Sequence, residues 1–445
     1  MNKLLIKDIV LINEGIKTAS DIYIEGEFIK KIGININSDN DVKIIDGKGL
    51  LAIPGMIDDQ VHFREPGLTH KGDIRSESKA AIAGGVTSYF EMPNTLPNTT
   101  SIKEFENKIK IASDNSFANF SFMFGGTNDN INEINRIDEK QVAGIKLFLG
   151  SSTGKMLIDD KISIENIFNS TSLPISAHCE DEQTIMDNTE HYKRLYGEDI
   201  PISAHPKIRN EDACYKSSNY AVNLAKKTGA RLNVFHISTA IELDLFDSKI
   251  SINDKKITSE VCAHHLWFTD DDYNKLGSKI KWNPAIKSKE DRDALWEAIK
   301  DNKIDIIASD HAPHTIQEKN KKYLNCPSGG PMVQHTILSL LQNCEKYGVS
   351  FEKIVEKIAH NPAIIFKVNK RGFLREGYYA DIVLIDTNTP TLVTQESLLY
   401  KCGWSPFEGQ KFDNSINRTI LNGNVVYEDG MVNSKPHGKK ITFNR

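Results

Sequence analysis

The strongest local signal for chemistry in this chain is Ala308-Ser309-Asp310-His311-Ala312-Pro313-His314, followed by Lys319. An aspartate placed just after an apolar run, here Ile304–Ala308, can bind a metal-held water and act as its general base. A turn capped by Asp310 and stiffened by Pro313 accounts for any one of these residues but not for the whole cluster. A second segment, Asp58-Asp59-Gln60-Val61-His62-Phe63-Arg64-Glu65-Pro66-Gly67, sets an imidazole and a guanidinium two residues apart. Alternate side chains of a strand share a face, so Asp58, Gln60, His62 and Arg64 are expected on one side and Asp59 and Val61 on the other. Alone, this segment reads equally as a surface loop with a few charges. His178 in Ser-Ala-His-Cys-Glu-Asp and His236 in Phe-His-Ile-Ser-Thr read, one at a time, as hydrogen-bonded core histidines. Together at strand ends they make, with carboxylates, an ordinary zinc shell. Lys146 sits in the apolar stretch Gly144-Ile145-Lys146-Leu147-Phe148. A buried ammonium is costly without a partner, so it is salt-bridged, snorkelling or carbamylated, the last giving an anion able to bridge two metals.

These residues need a scaffold that brings distant segments together. Eight short apolar runs alternate with helical stretches: Gly55–Phe63, Gly85–Pro93, Asn119–Gly126, Ala143–Gly150, Pro174–Glu180, Arg231–Ser238, Ile257–His265 and Asp305–Pro313. Lys71–Gly84, Ile102–Asn115 and Asp291–Asp301 have helix-forming composition between them. Alternation of this kind is the pattern of parallel βα units, and eight of them favour an α/β fold, a closed (β/α)8 barrel of the TIM type. Such barrels carry their chemistry at the C-terminal ends of the strands. Near those ends stand His62, Asn94, Lys146, His178, His236, His264 with His265, and Asp310, while the third run closes on Gly125-Gly126-Thr127. Packing alone gives histidines no reason to favour strand ends, so the distribution argues for one convergent site.

Both chain ends have a different texture. Leu4–Ile6, Ile22–Glu25, Phe28–Ile32 and Val42–Asp46 are short strand-like runs broken by glycines, and Ala380–Asp386, Arg418–Leu421 and Val425–Tyr427 repeat that texture around the turn Asn422-Gly423-Asn424. The expected division is a satellite β-sandwich made by residues 1–53 and 366–445, with residues 54–365 forming the barrel. With 39% hydrophobic and 26% charged residues and a net charge of -5, the chain gives no basic footprint for nucleic acid. No apolar run reaches the ~18 residues of a membrane span, and Met1-Asn2-Lys3 leads straight into a strand-like segment, which points to the cytoplasm. Six cysteines without a CxxC pair suggest neither a disulfide framework nor a thiolate zinc site. The expected partner is a small molecule; self-assembly into a homo-oligomer is left open.

The chain resembles the dihydroorotases of the amidohydrolase superfamily over nearly its whole length. The resemblance is carried by His62-Phe63-Arg64-Glu65-Pro66-Gly67, by Ala83-Gly84-Gly85-Val86-Thr87 with Met92-Pro93-Asn94-Thr95, and above all by Ser309-Asp310-His311-Ala312-Pro313-His314 with Lys319. Shorter blocks are Phe235–Ala240, Glu260-Val261 with His264-His265, Lys281-Trp282-Asn283-Pro284, His360-Asn361-Pro362-Ala363 and Ala380–Val383. The resemblance implies that His178 and His236 bind one zinc and that His62 and Asp310 bind the other, with carboxylated Lys146 between them. It implies that Arg64, Asn94 and His314 hold the substrate carboxylate, with Asn283 near the pyrimidine ring. A planar guanidinium grips a carboxylate bidentately, which agrees. The implied reaction is the reversible cyclisation of N-carbamoyl-L-aspartate to dihydroorotate in pyrimidine biosynthesis, with Asp310 moving the proton. One position departs: the family's opening motif has two histidines flanking one residue, and the first is here Gln60, a weaker amide ligand. Strand alternation is expected to turn Asp59 away from that role. One or two zinc ions per chain are therefore compatible with the sequence. The alternatives are another cyclic amidase, a dihydropyrimidinase or allantoinase, and a catalytically silent homologue acting as a structural partner.

Overall fold

The structure is a computed structural model and describes residues 2–37, 41–150, 156–433 and 435–445. Its first strands are β1 (Lys3–Asn13), β2 (Ile16–Glu25), β3 (Phe28–Gly33), β4 (Lys43–Asp46) and β5 (Leu50–Pro54). β1 contributes Leu4 and Ile6, then Ile9 and Leu11, to one apolar core. The switch from even to odd numbers is possible because the register shifts between Ile6 and Ile9, with Asp8 at φ 54°. One extra residue changes which side chains share a face. The first half of β1 then pairs with β4 and its second half with β5.

Eight further strands follow: β6 (Met56–Val61), β7 (Val86–Glu91), β8 (Asn119–Gly125), β9 (Gly144–Leu149), β10 (Ile175–Cys179), β11 (Leu232–Val234), β12 (Ile257–Cys262) and β13 (Ile306–Ala308). They pair in chain order and all in parallel, each inside the apolar run that predicts it. Strands buried on both faces read as continuous apolar runs, which is why they are visible in the sequence. The barrel approaches closure where β13 returns to β6, through a parallel bridge between Val61 and His311 and a hydrogen bond from the Ser309 amide to Asp58 Oδ1 at 3.1 Å. Helices cover the outside. Helix α1 (Ile74–Ala83) starts at Asp73, whose carboxylate accepts from the Ser76 amide, and α2 (Ile102–Asn115) starts at Ser101, whose hydroxyl accepts from the Glu104 amide. Such caps satisfy amides that the first turn leaves open.

The remaining strands are β14 (Ile382–Asp386), β15 (Thr391–Leu392), β16 (Lys411–Phe412), β17 (Ser415–Leu421), β18 (Asn424–Glu428) and β19 (Met431–Val432). The two-residue strands β15 and β16 pair only with each other. β14 adds antiparallel to β5, so both chain ends join one nine-stranded sheet in the order β19-β18-β17-β14-β5-β1-β2-β3, with β4 also on β1. Asn422 at φ 48° and Gly423 at φ 74° make the tight turn from β17 to β18. Leu4, Ile24, Ile45, Leu384 and Ile420 share a core to which the barrel helices contribute nothing, so this continuous sheet folds over and covers its own inner face. Ile53, Val383, Ile385 and Leu421 point the other way into the main core with the barrel helices. Among the described residues, no helix is long and apolar enough to cross a membrane.

Candidate active site

A cavity of about 290 Å³ opens at the C-terminal ends of the barrel strands. Its lining includes His62, Arg64, Asn94, Lys146, His178, His236, Asn283, Asp310 and His314, so each residue to which the resemblance gives a role reaches it, while His264 and His265, also at a strand end, are not among the lining residues. Gln60 lines it too. Lys146 and His178 project from β9 and β10, while His62, Asn94, His236 and Asp310 sit just beyond their strands. Arg64, His236 and Asp310 have positive φ values of 72°, 42° and 43°. Left-handed backbone at non-glycine residues costs free energy and persists where the surroundings impose it, commonly at functional sites.

The donor atoms meet in pairs. His178 Nδ1 lies 2.9 Å from His236 Nε2, and His62 Nε2 lies 3.4 Å from Asp310 Oδ1. Neighbours settle which nitrogen faces the cavity. His178 Nε2 donates to Glu180 Oε2 at 2.9 Å, which leaves Nδ1 to accept. His62 Nδ1 donates to Asn94 Oδ1 at 2.8 Å, so Nε2 is turned to Asp310. Asn94, expected only as a substrate contact, therefore also orients a candidate ligand. A carboxylate or amide behind a ligating imidazole fixes its tautomer and ring angle. Burial raises the Glu180 carboxyl, but Arg209 and then His178 outweigh it and hold the group at about 2.

Lys146 is 1% exposed, with its Nζ 4.0 Å from the Phe235 ring centroid and 4.9 Å from that of Phe148. Among the described residues neither Lys146 Nζ nor His236 Nδ1 has a hydrogen-bond partner. Burial pulls the Lys146 ammonium down to about 8, with Glu260 and Asp310 pulling it back up. Burial likewise pushes the Asp310 carboxyl up to about 7, against the opposing charges of Lys146, His178 and Arg64. Buried imidazole nitrogens, a carboxylate and an unpartnered amine converging on one cavity are a donor set that fits a divalent metal such as zinc.

One expectation fails. Asp59 does not turn to the outer face: its Oδ2 accepts from Asn233 Nδ2 at 3.3 Å, and its carboxyl lies beside that of Glu260 inside the barrel. The cause is an irregular register of β6 against β7 between Asp58 and Val61, which breaks the strict alternation on which the expectation rested. Burial raises both carboxyls, and Asp59 reaches about 7.

Glu180 and Lys71 are given no role by the sequence, whereas His264 with His265 and the segment Gly329-Gly330-Pro331, which the sequence offers equally as a substrate contact or a plain surface turn, stand out there without a fixed role. Glu180 lies two residues beyond His178 on its face of the chain, a spacing that could have flagged it. Cys262, His264 and His265 bring donor atoms within 4.8 Å of one another at the end of β12, and His264 stacks on Trp282 at 4.4 Å. Gly329 lines the cavity at φ 123°, and a side chain there would meet the Ala312 carbonyl at 2.5 Å, so the Gly329-Gly330-Pro331 segment is part of the rim. Lys71 lines the cavity as well.

Comparison with known proteins places this geometry. The pattern of the Amidohydrolase family matches residues 51–426. A dihydroorotase of Staphylococcus epidermidis is 33% identical over 439 residues, covering 96% of this chain and 99% of that protein. An allantoinase of Desulfitobacterium hafniense is 30% identical over 407 residues, covering 90% of each. Among solved structures, the L-hydantoinase (dihydropyrimidinase) of Arthrobacter aurescens superposes with a TM-score of 0.94 at 26% identity, covering 99% of this chain and 100% of that one. The dihydropyrimidinase of Brevibacillus agri shares the fold, with a TM-score of 0.89 at 21% identity over 100% of both chains. A barrel with convergent histidines, an aspartate and a buried lysine at one mouth, matched by the family pattern over most of its length, belongs to the amidohydrolase family, and the protein is a hydrolase acting on cyclic amides.

Proposed function

We propose that the protein is a dihydroorotase, interconverting N-carbamoyl-L-aspartate and (S)-dihydroorotate plus water in pyrimidine biosynthesis. The observation that carries the reading is the convergence of Arg64, Asn94 and His314 on the cavity that holds the candidate metal donors. A cyclic amide bearing a carboxylate suits that combination, and relatives bearing the dihydroorotase name at 33% identity support it.

His178 with His236, and His62 with Asp310, are the residues that would hold zinc, with Lys146, if carboxylated, supplying further carboxylate oxygens and Gln60 offering only an amide oxygen. Bound metal supplies a Lewis acid that polarises a carbonyl and acidifies water, from a pKa near ~15.7 toward ~7. Asp310 then takes the proton from the attacking water and delivers it to the departing ring nitrogen. Arg64 grips the substrate carboxylate in two hydrogen bonds and so fixes which amide faces Asp310. Asn283 lies along the wall where a ring would sit. Carboxylation of Lys146 needs the neutral amine, which forms a nitrogen–carbon bond to carbon dioxide and loses a proton; burial without a partner favours that form.

A second reading, a cyclic amidase with no demand for a carboxylate, is favoured by the likeness to L-hydantoinase. Turnover of dihydroorotate, dihydrouracil and allantoin by zinc-replete protein, beside the D310N variant, tests the choice. Dihydroorotate is expected to be preferred, and D310N to lose on the order of 10²–10⁴ in kcat while still binding substrate. Preference for dihydrouracil or allantoin overturns the carboxylate reading. No turnover together with no bound metal supports a silent partner, and D310N activity within a few-fold of the parent removes Asp310 from its role.

A further inference from the structure

Lys71 precedes α1 and is given no task by the sequence motifs. Its Nζ lies 3.1 Å from His314 Nδ1 and 3.0 Å from Glu318 Oε1. On the opposite edge of the same imidazole, Nε2 lies 3.1 Å from the Ser328 carbonyl oxygen and 3.0 Å from Arg64 Nη2. An ammonium and a guanidinium can only donate, and a carbonyl oxygen can only accept. Burial, and after it the charge of Arg64, holds His314 well below the usual imidazole range, so the ring is neutral and carries one proton.

There are two places for that proton. On Nε2, it leaves Nδ1 to accept from Lys71 while Nε2 donates to Ser328. On Nδ1, it would face the Lys71 ammonium and set the Nε2 lone pair against the Ser328 carbonyl, gaining only a bond from Arg64. Glu318 Oε2 lies 3.6 Å from Nδ1, too far to hold a proton there. Two satisfied contacts against one decide for Nε2. Arg64 Nη2 then meets an N–H instead of a lone pair, and that edge of the guanidinium has no use for His314 as an acceptor. Its Nε is already spent on the Pro313 carbonyl at 3.0 Å.

We propose that Lys71 is a positioning residue: by fixing the Nε2–H tautomer of His314 it denies Arg64 an internal acceptor and keeps the guanidinium edge turned to a ligand carboxylate. Glu318 holds the lysine in place for this. The inference deepens the dihydroorotase reading and rests on it for the identity of the carboxylate, but the tautomer stands without it.

Two measurements test the proposal. In protein labelled with nitrogen-15 histidine, with the His314 signals identified by their loss in H314Q, Nδ1 is expected unprotonated in the parent, protonated in a measurable fraction of K71M, where one contact then stands against one, and unprotonated again in K71R. A protonated Nδ1 in the parent, or a K71M spectrum equal to the parent's, overturns the proposal. In kinetics, K71M is expected to raise KM for dihydroorotate about tenfold while kcat falls less than about threefold, the pattern of lost ground-state binding. Dihydrouracil, which lacks the carboxylate, should show the smaller KM change; a loss confined to kcat overturns the proposal. Should the parent turn over no dihydroorotate, the functional reading falls while the spectra still decide the tautomer.

Discussion

Glu180 illustrates how a buried charge is retained in the site. It has no exposure, and burial alone would neutralise it, yet Arg209 Nη1 and His178 Nε2 both donate to its Oε2. Its folded pKa near 2 lies below the usual 4.5, so the unfolded chain binds its proton more readily. Stability from this group is therefore fully present above about pH 4.5 and is lost as pH falls toward 2. The depression amounts to roughly 3 kcal/mol at neutral pH. E180Q keeps an acceptor for His178 but loses the charge that answers Arg209. Urea unfolding of parent and E180Q should show a gap of that order at pH 7, narrowing by about 1 kcal/mol at pH 4. A gap that stays constant between the two pH values would show that the charge plays no part.

Between elements, the analogous contact joins α2 to β7. Lys108 is fully buried, ion-paired with Glu91 and hydrogen-bonded to the Met92 carbonyl at 2.9 Å. It thereby pins the strand end that leads to Asn94. Burial raises the Glu91 carboxyl to about 7, with Lys108 opposing it. Removing one partner of a buried pair strands the other charge, so K108M should cost about 3–5 kcal/mol, whereas K108M with E91L should recover most of that loss. Urea titrations of the two single variants and the double variant check this, and simple additivity would sink it. The sequence held a signal for this pair that went unused: Phe105, Lys108 and Ala112 fall on one helical stripe, and all are buried. What was legible came from continuous patterns. Apolar runs gave the eight barrel strands, and residues at their ends gave the cavity lining. What was hidden depended on local irregularity or on distance along the chain. The register shift in β6 inverted the expectation for Asp59, and Arg209 stands 29 residues from the carboxylate it neutralises. Spacing likewise carries no hint that Lys71 meets His314, which folding brings together across 243 positions.

At the scale of the whole molecule, the chain ends do more than form a side sheet. The tail returns beneath the barrel: the Phe120 amide donates to the Lys439 carbonyl and the Ile441 amide to the Phe120 carbonyl, each at 2.9 Å. Ile441 and Phe443 enter the apolar cluster that fills the barrel interior with Phe90, Met123, Phe235, Ile306 and Phe366. Phe443 meets Phe90 edge to face at 5.8 Å, and Arg445 donates to the Val142, Ala143 and Phe366 carbonyls. The same cluster reaches up to Phe235, whose ring lies under Lys146. The tail therefore seals the floor of the barrel whose mouth holds the site. A barrel of residues 54–365, the division proposed from sequence, would lack that seal and would also expose the helix faces that now cover Ile53 and Val383. Ending the chain after His437 removes two buried apolar side chains worth about 1.5–3 kcal/mol each, and it opens the interior to water. Urea unfolding of that shortened protein should show a loss on the order of 3–6 kcal/mol. On the proposed zinc reading, in which a carboxylated Lys146 is one of the metal donors, zinc retained per chain should fall with it, because water reaching Nζ would stabilise the ammonium, which cannot be carboxylated. Full stability with full zinc content in the shortened chain would show that the tail only decorates the barrel.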